Sequence, residues 1–392
     1  MNWLKTVIPA IENQGARLAL STSVFLRALH YCARPVLVYK GLKSMLRRYD
    51  VTFYENVGLT KTVKSNGRYF FRLHLPGWPS KAFDQFMESE LDHLFSEEEK
   101  PHRLQFIVLG VTKQCPLRCR HCYEWERLNQ DEDLSVDELA AIVKLFQQRG
   151  ISQIMISGGE PMVCFEKVLR LLQSADSSSD FWLFTSGYHL TFENALKLKK
   201  AGLTGVNVSL DHWDAAFHNA FRGHPSAFEW AVKASRNVRK ADLVLCLSLC
   251  ATKEFVSKEN LWKYAAMAKE LGAGFIQILE PRSTGHFKGK DVQLSQLQLE
   301  TIEEFHVEIN VNPAYRNLPS VMYAGYHQRR SGCFGGGKRF LYVDTDGYLH
   351  ACPFCQNAVG HCLKEPLEES VSKMQKTGCL QFNPISHPFF WD

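Results

Sequence analysis

The chain lacks any apolar run near the roughly 20 residues needed to cross a bilayer. Its longest N-terminal apolar stretch is broken by Arg27 and Arg34. It also lacks the secretory pattern of basic residues, apolar core and small-residue cleavage site, so a cytoplasmic protein is expected. Low-complexity segments are absent, as are internal repeats beyond a strand–helix alternation, and the ordinary composition excludes fibrous, collagen-like and wholly disordered readings. Twelve cysteines in 392 residues are too few for a disulfide scaffold, which needs roughly 8–10%. Strong net charge is missing too: the chain is +5, so no nucleic-acid partner is expected.

What is present is ordinary in bulk and uneven in detail. An apolar fraction of 45% and a charged fraction of 22% suit a globular protein with a sizeable core. Residues 1–50 carry eight Lys or Arg against Glu12 and Asp50, an excess of six. The basic character therefore belongs to one end. The cysteines cluster as well: three within eight residues (Cys115, Cys119, Cys122) and five in the last 60 (Cys333, Cys352, Cys355, Cys362, Cys379). Clustered thiols outside a secreted context read as metal ligands. Cys246 and Cys250 share one strand face and read as small core residues.

Periodicity divides the chain. Residues 1–100 read as an N-terminal α+β addition. One helix ends before Pro35 and a second, basic helix covers Leu37–Arg48. Extended segments at Val51–Val57 and Arg68–Leu75 join through Ser65-Asn66-Gly67, and a charged helix covers about Ser80–Glu98. From 101 to 285, β-rich runs at Gln105–Val111, Gln153–Ser157, Phe181–Thr185, Gly205–Leu210, Leu243–Leu249 and Phe275–Leu279 alternate with helices. Ser135 to Glu138 forms a capping box that opens the first of these helices. Six strand–helix repeats predict an α/β fold, a partial (β/α)6 TIM-like barrel, with its chemistry at the C-terminal ends of the strands. Residues 286–330 read as a helical connection. Residues 331–392 read as a small C-terminal domain with a β-hairpin at Phe340–Val343 and Tyr348–Ala351.

Cys115-Pro-Leu-Arg-Cys119-Arg-His-Cys122 follows the first barrel strand. Three close thiolates can hold three irons of a [4Fe–4S] cube and leave one iron open to a substrate; a zinc knot would want a fourth protein ligand, and none lies nearby. The second strand ends in Ser157-Gly158-Gly159-Glu160-Pro161 and the third in Thr185-Ser186-Gly187. Glycines let backbone approach a ligand, and Glu160 offers an acceptor to an ammonium group. Gly332 to Lys338 is nearly a P-loop, but Arg339 stands where Ser or Thr is required and a strand follows.

The cysteine triplet with Gly-Gly-Glu one strand later resembles the radical S-adenosylmethionine (SAM) superfamily, over about residues 103–285. The resemblance implies that Cys115, Cys119 and Cys122 hold a [4Fe–4S] cluster whose open iron is chelated by SAM. His121 would lie near the adenine; Gly158, Gly159 and Glu160 would take the amino group. Ser209, in Ser-Leu-Asp at the end of the fourth strand, would contact the ribose. Arg222 would meet the SAM carboxylate, and Ser186 stands where an asparagine is common. Reductive cleavage of SAM to a 5′-deoxyadenosyl radical would then abstract hydrogen from a substrate, with flavodoxin or ferredoxin as electron donor. The C-terminal cysteines look like the SPASM or twitch extensions of this superfamily. These imply a second, auxiliary [4Fe–4S] cluster on Cys333, Cys352, Cys355 and a fourth ligand, Cys379 in preference to Cys362; a zinc ribbon is the rival. Peptide or protein maturation ranks first among substrates, ahead of small-cofactor or membrane-lipid biosynthesis and of a non-catalytic metal-binding role. Residues 1–48 read either as a cap over the barrel with a solvated charged face or as a pair of helices resting on an anionic membrane surface.

Overall fold

A β-rich run that is apolar throughout must be covered on both faces, and a parallel sheet flanked by helices does that. The computed structural model describes residues 7–43, 61–95, 104–132, 134–333 and 335–379. Strands β3 (Phe106–Gly110), β4 (Gln153–Ser157), β5 (Asp180–Thr185), β6 (Leu203–Ser209), β7 (Val244–Cys250) and β8 (Phe275–Leu279) pair in parallel in chain order. Between them run α4 (Val136–Gln147), α5 (Phe165–Ser174), α6 (Phe192–Lys200), α7 (Ala215–Arg222), α8 (Ala227–Lys240) and α9 (Lys258–Glu270). The Ser135 capping box forms as expected, with Glu138 N–H donating to the Ser135 hydroxyl and the Ser135 N–H to the Glu138 carboxylate. Ile107, Leu109, Ile154, Ile156, Val206 and Leu245 bury the outer face of the sheet against the helices. This is the expected α/β strand–helix architecture.

Two further parallel strands flank the six expected. After α10 (Gln296–Val311), β9 (Ser320–Tyr323) pairs parallel with β8. After α11 (Ala324–Ser331), β10 (Phe340–Val343) pairs parallel with β3, Phe340 beside Phe106 and Val343 beside Leu109. The expected hairpin then forms: β11 (Tyr348–His350) runs antiparallel to β10, and β12 (Ala358–His361) and α12 (Leu367–Thr377) complete the C-terminal region. The C-terminal strands thus share the barrel's own sheet. In the order β12-β11-β10-β3-β4-β5-β6-β7-β8-β9, β9 and β10 bound the eight parallel strands on either side.

The N-terminal region closes the end of the barrel where the strands begin. β1 (Val63–Ser65) and β2 (Arg68–Phe70) form a hairpin through Asn66 (φ 48°) and Gly67 (φ 71°), the positive-φ pair that a two-residue turn demands. The strand partner expected at Val51–Val57 lies outside the described residues, and Val63–Ser65 fills that place. Val63, Phe70 and Leu73 pack against Met155, Trp182, Val244 and Phe275 inside the barrel. Full burial of three such side chains contributes about 1.5–3 kcal/mol each. Polar contacts fix the rim: Arg68 pairs with Asp180 at 2.6 Å, the Ser65 hydroxyl donates to Asp242, and Lys61 Nζ donates to the Pro319 carbonyl at 3.1 Å. Helices α1 (Ala10–Tyr31) and α3 (Lys81–Phe95), with a further helix (α2) over 35–43, pack together over this hairpin around Ala28, Val38, Phe83 and Leu91. Residues 44–48 of the expected basic helix lie outside the described residues.

Candidate active site

Three loops meet at the C-terminal ends of β3, β4 and β5. Gly159 N–H donates to the Thr112 carbonyl at 2.6 Å and Glu160 N–H to the Gln114 carbonyl at 2.8 Å, which lays the Gly-Gly-Glu turn on the cysteine loop. A Cβ on Gly158 would stand 2.6 Å from the Thr112 carbonyl oxygen, and one on Gly159 would stand 2.4 Å from that of Gln114. Both glycines are therefore required by the approach of one loop to the other. Gly158, at φ 137°, also occupies backbone space that other residues avoid.

Glu160 is buried, and its two carboxylate oxygens accept four hydrogen bonds. Oε1 takes Met162 N–H (3.0 Å) and the Thr185 hydroxyl (2.6 Å); Oε2 takes Ser186 N–H (2.7 Å) and the Ser186 hydroxyl (2.6 Å). A carboxylate offers about four acceptor positions, so this side chain is engaged within the protein. It latches the end of β4 to the end of β5. Ser186, singled out from the sequence, is its main partner.

The cysteine loop is fixed from two further sides. Arg118 and Arg120 N–H donate to the carbonyls of Arg222 and Phe221 at the end of α7, and Cys115 N–H donates to Asn129 Oδ1. Arg222 Nε donates to Asp211 at 2.6 Å while Nη1 lies 3.7 Å from the Cys119 sulfur. Burial alone would push the Asp211 carboxyl up, but Arg222 beside it holds it below its ordinary value. Burial pushes the Cys115 thiol up to about 12 and raises Cys119 and Cys122 as well. His121 stacks on Phe221 (centroids 4.7 Å apart), and burial pushes its imidazole down to about 4.

The sequence reading missed Asp211 as the partner of Arg222, and it missed α7. It also missed the segment after β8, where His286 Nδ1 meets the Cys119 carbonyl at 2.8 Å and the His286 ring stacks on Trp125. Gly285 seats that segment on the cysteine loop: at φ 54°, a Cβ there would stand 2.1 Å from the Cys122 carbonyl oxygen.

The C-terminal thiols gather in a second group. Cys352 Sγ and Cys355 Sγ are 3.5 Å apart, the Cys333 and Cys379 thiols are hydrogen-bonded, and Gly335 N–H donates to Cys333 Sγ at 3.3 Å. Cys362 is set apart, buried in the main core beside Leu367 and Met374. No group of three or more His, Cys, Asp or Glu among the described residues is arranged to hold a single metal ion. One cavity of about 400 Å³ joins the two groups: Cys115, Cys119 and Cys122 line it on one side, Cys333 and Cys352 on another. His121, Gly158, Gly159, Glu160, Ser186, Ser209 and Arg222 line the same cavity.

Residues 109–279 match the description of the radical SAM superfamily. Over that region, which is under half of the chain, the protein is similar to the superfamily, and the match with the relatives below supports an enzyme that uses a [4Fe–4S] cluster and SAM. It is similar to the AdoMet-dependent heme synthases of Methanosarcina barkeri (26% identity, 68% of this chain and 81% of the relative) and of Nitratidesulfovibrio vulgaris (24%, 68% and 78%). Its fold is similar to that of Streptococcus suis SuiB bound to the precursor peptide SuiA (TM-score 0.58, 13% identity, 74% of this chain and 70% of that one). It is also similar to that of anSMEcpe with bound AdoMet (0.55, 18%, 71% and 84%).

Proposed function

We propose that this enzyme modifies a ribosomally made peptide or protein by radical SAM chemistry in the cytoplasm, taking its electron from a flavodoxin or ferredoxin. The observation that carries the reading is the shared cavity: two thiol groups face one space, in a fold like those of SuiB and anSMEcpe, both crystallised with peptides. Cys115, Cys119 and Cys122 would hold the SAM-binding cluster, which when loaded supplies the electron that splits SAM and starts hydrogen abstraction. Gly158 and Gly159 would present backbone to the SAM amino group on a turn that Glu160 holds in place through Ser186. His121 would flank the adenine and Ser209 the ribose. Arg222, already paired with Asp211, would set its charge beside Cys119 and the SAM carboxylate. Cys333, Cys352, Cys355 and Cys379 would hold an auxiliary cluster, with Cys379 preferred as fourth ligand to Cys362, which is buried in the main core.

The test is an anaerobic reaction with SAM and dithionite on the low-mass peptide fraction of the producing cell. A SAM-dependent mass change in a peptide, lost in Cys119→Ala together with 5′-deoxyadenosine, is expected. Cofactor biosynthesis is the second reading, favoured by the heme synthase relatives; it predicts 5′-deoxyadenosine formation raised by a heme precursor and by no peptide.

The N-terminal helices have a role of their own in this reading. Ile11, Leu18 and Leu26 on α1 and Val36, Leu37 and Tyr39 on α2 are exposed. The outward face of α1 between Ile11 and Leu26 carries no charge, because Glu12, Arg17 and Arg27 turn to Lys64, Asn13 and Asp84. With Arg34, Lys40 and Lys43 beside it, this face suits an anionic bilayer surface. Among the described residues no helix is long and apolar enough to cross a membrane. Sedimentation with phosphatidylglycerol vesicles, abolished in Leu18→Asp/Leu26→Asp, would support surface contact; no sedimentation of the wild type would refute it.

A further inference from the structure

Deeper in the barrel than the thiols and Ser209, Val108, Met155, Phe184 and Met322 give the cavity an apolar wall, and Arg72, His74, Gln105 and Arg339 line it towards the end where the strands begin. Into this surface project two side-chain amides, Asn207 from β6 and Gln277 from β8. Asn207 Nδ2 donates to Gln277 Oε1 at 2.7 Å across β7, and Asn207 Oδ1, fully buried, accepts from no group among the described residues. Asn207 stands two residues before Ser209 on the same face of β6, about 7 Å deeper along the strand. An apolar interior tolerates a buried amide only when its hydrogen bonds are made, so an acceptor left open towards a cavity calls for a partner.

The chemistry of that partner follows from the pair. One bond between the two amides uses one donor and one acceptor and leaves the couple with both a free acceptor and free N–H groups. Exchanging the assigned N and O of both amides leaves the same balance. A complementary ligand offers a donor and an acceptor side by side. An extended peptide residue does so, because its own N–H and C=O point to the same side of the strand. A carboxylate accepts only and would face the open acceptor with a lone pair. An iron porphyrin has its ring nitrogens on the metal and only carboxylates at its rim, so it satisfies this couple poorly.

We propose that Asn207 and Gln277 are the substrate-specificity pair of this enzyme and bind the backbone amide of an extended peptide beneath the SAM site. The proposal rests on the peptide reading above and sharpens it. The test uses the cluster-loaded enzyme and two probes, a mixed-sequence pool of N-acetylated, C-amidated hexapeptides and hemin. Affinities are measured for wild type, Asn207→Leu and Asn207→Leu/Gln277→Leu. The double variant removes both partners together, leaves no amide orphaned, and should keep the wild-type melting midpoint. Peptide affinity is expected to fall about 10- to 100-fold in the double variant, the effect of losing one to two buried hydrogen bonds to ligand. Hemin affinity is expected to stay level or rise. Unchanged peptide affinity in a folded double variant would overturn the pair's role and leave the peptide reading standing. Wild type that takes hemin and no peptide would overturn the peptide reading, and the pair's role with it.

Discussion

Replacing Glu160 by Gln separates two functions that a carboxylate at this position could have. In the structure its oxygens accept from Met162 N–H and the Thr185 hydroxyl on one side, and from Ser186 N–H and the Ser186 hydroxyl on the other. An amide has one acceptor atom. If its oxygen faces Met162 and Thr185, its NH2 faces Ser186, whose hydroxyl can turn to accept but whose backbone N–H cannot. In the opposite orientation Met162 N–H is stranded instead. Either way one buried backbone N–H loses its partner, at about 1–3 kcal/mol, and the remaining bonds lose the strengthening that charge provides. Relief of the desolvation that raises the Glu160 carboxyl offsets part of this. Glu160→Gln is therefore expected to cost about 2–4 kcal/mol in anaerobic urea unfolding of the cluster-free protein, with Ser186→Ala costing roughly half as much. SAM affinity should fall only as far as the turn loosens. A Glu160→Gln protein as stable as wild type that no longer binds SAM would refute the latch and make the carboxylate a ligand group in its own right.

Arg222→Leu leaves the buried Asp211 carboxylate without its 2.6 Å partner and is expected to cost about 3–5 kcal/mol in the same assay; Arg222→Leu/Asp211→Asn should recover part of it, and a loss under about 1 kcal/mol in the single variant would refute the pairing. Cys379→Ala is expected to remove about four irons from the anaerobically loaded protein while Cys362→Ala removes none, and the reverse result would move the fourth auxiliary ligand to Cys362. Burial pushes the Lys61 ammonium down to about 7, below its unfolded value, so folding disfavours the protonated form. Stability should then climb as pH rises from about 7 towards about 10.5, by at most ~1.4 kcal/mol per pH unit, and Lys61→Met should flatten that slope; equal slopes in both proteins would refute the burial of a charge at this site.

The six barrel strands and the capping box at Ser135 were legible because each is a local pattern: an apolar run of five to seven residues between turn signals, or four residues at a helix start. β9 and β10 were harder to read. Ser320-Val-Met-Tyr323 is a four-residue segment whose strand character comes from the open edge of β8, and Phe340–Val343 reads equally well as half of a hairpin. Its parallel pairing with β3, more than 200 residues earlier, leaves no mark in the local sequence. The glycines of the site were found for an incomplete reason. Small size suggested approach to a ligand, whereas Gly158 and Gly159, like the unforeseen Gly285, each face a backbone carbonyl of the cysteine loop. Asp211 was visible as part of Ser-Leu-Asp, but its bond to Arg222 depends on α7 folding back over the strand ends.

Both ends of the chain complete what six strands leave open. A six-stranded parallel set has an uncovered end and two free edges, and each exposes apolar interior or unpaired backbone. The β1–β2 hairpin fills the end where the strands begin, so the cavity floor is supported by Phe70 and Leu73. Of the free edges, β9 takes the β8 side and β10 the β3 side, and the segment joining β9 to β10 carries Cys333. The C-terminal thiols are thus delivered to the cavity by strand pairing with the first barrel strand, the same strand that delivers Cys115. A slip of β10 by one residue would turn Tyr342 away from its 2.8 Å bond to Glu124 inside the barrel and put Leu341 or Val343 in its place. Register at this one pairing therefore sets the position of the second thiol group relative to the first.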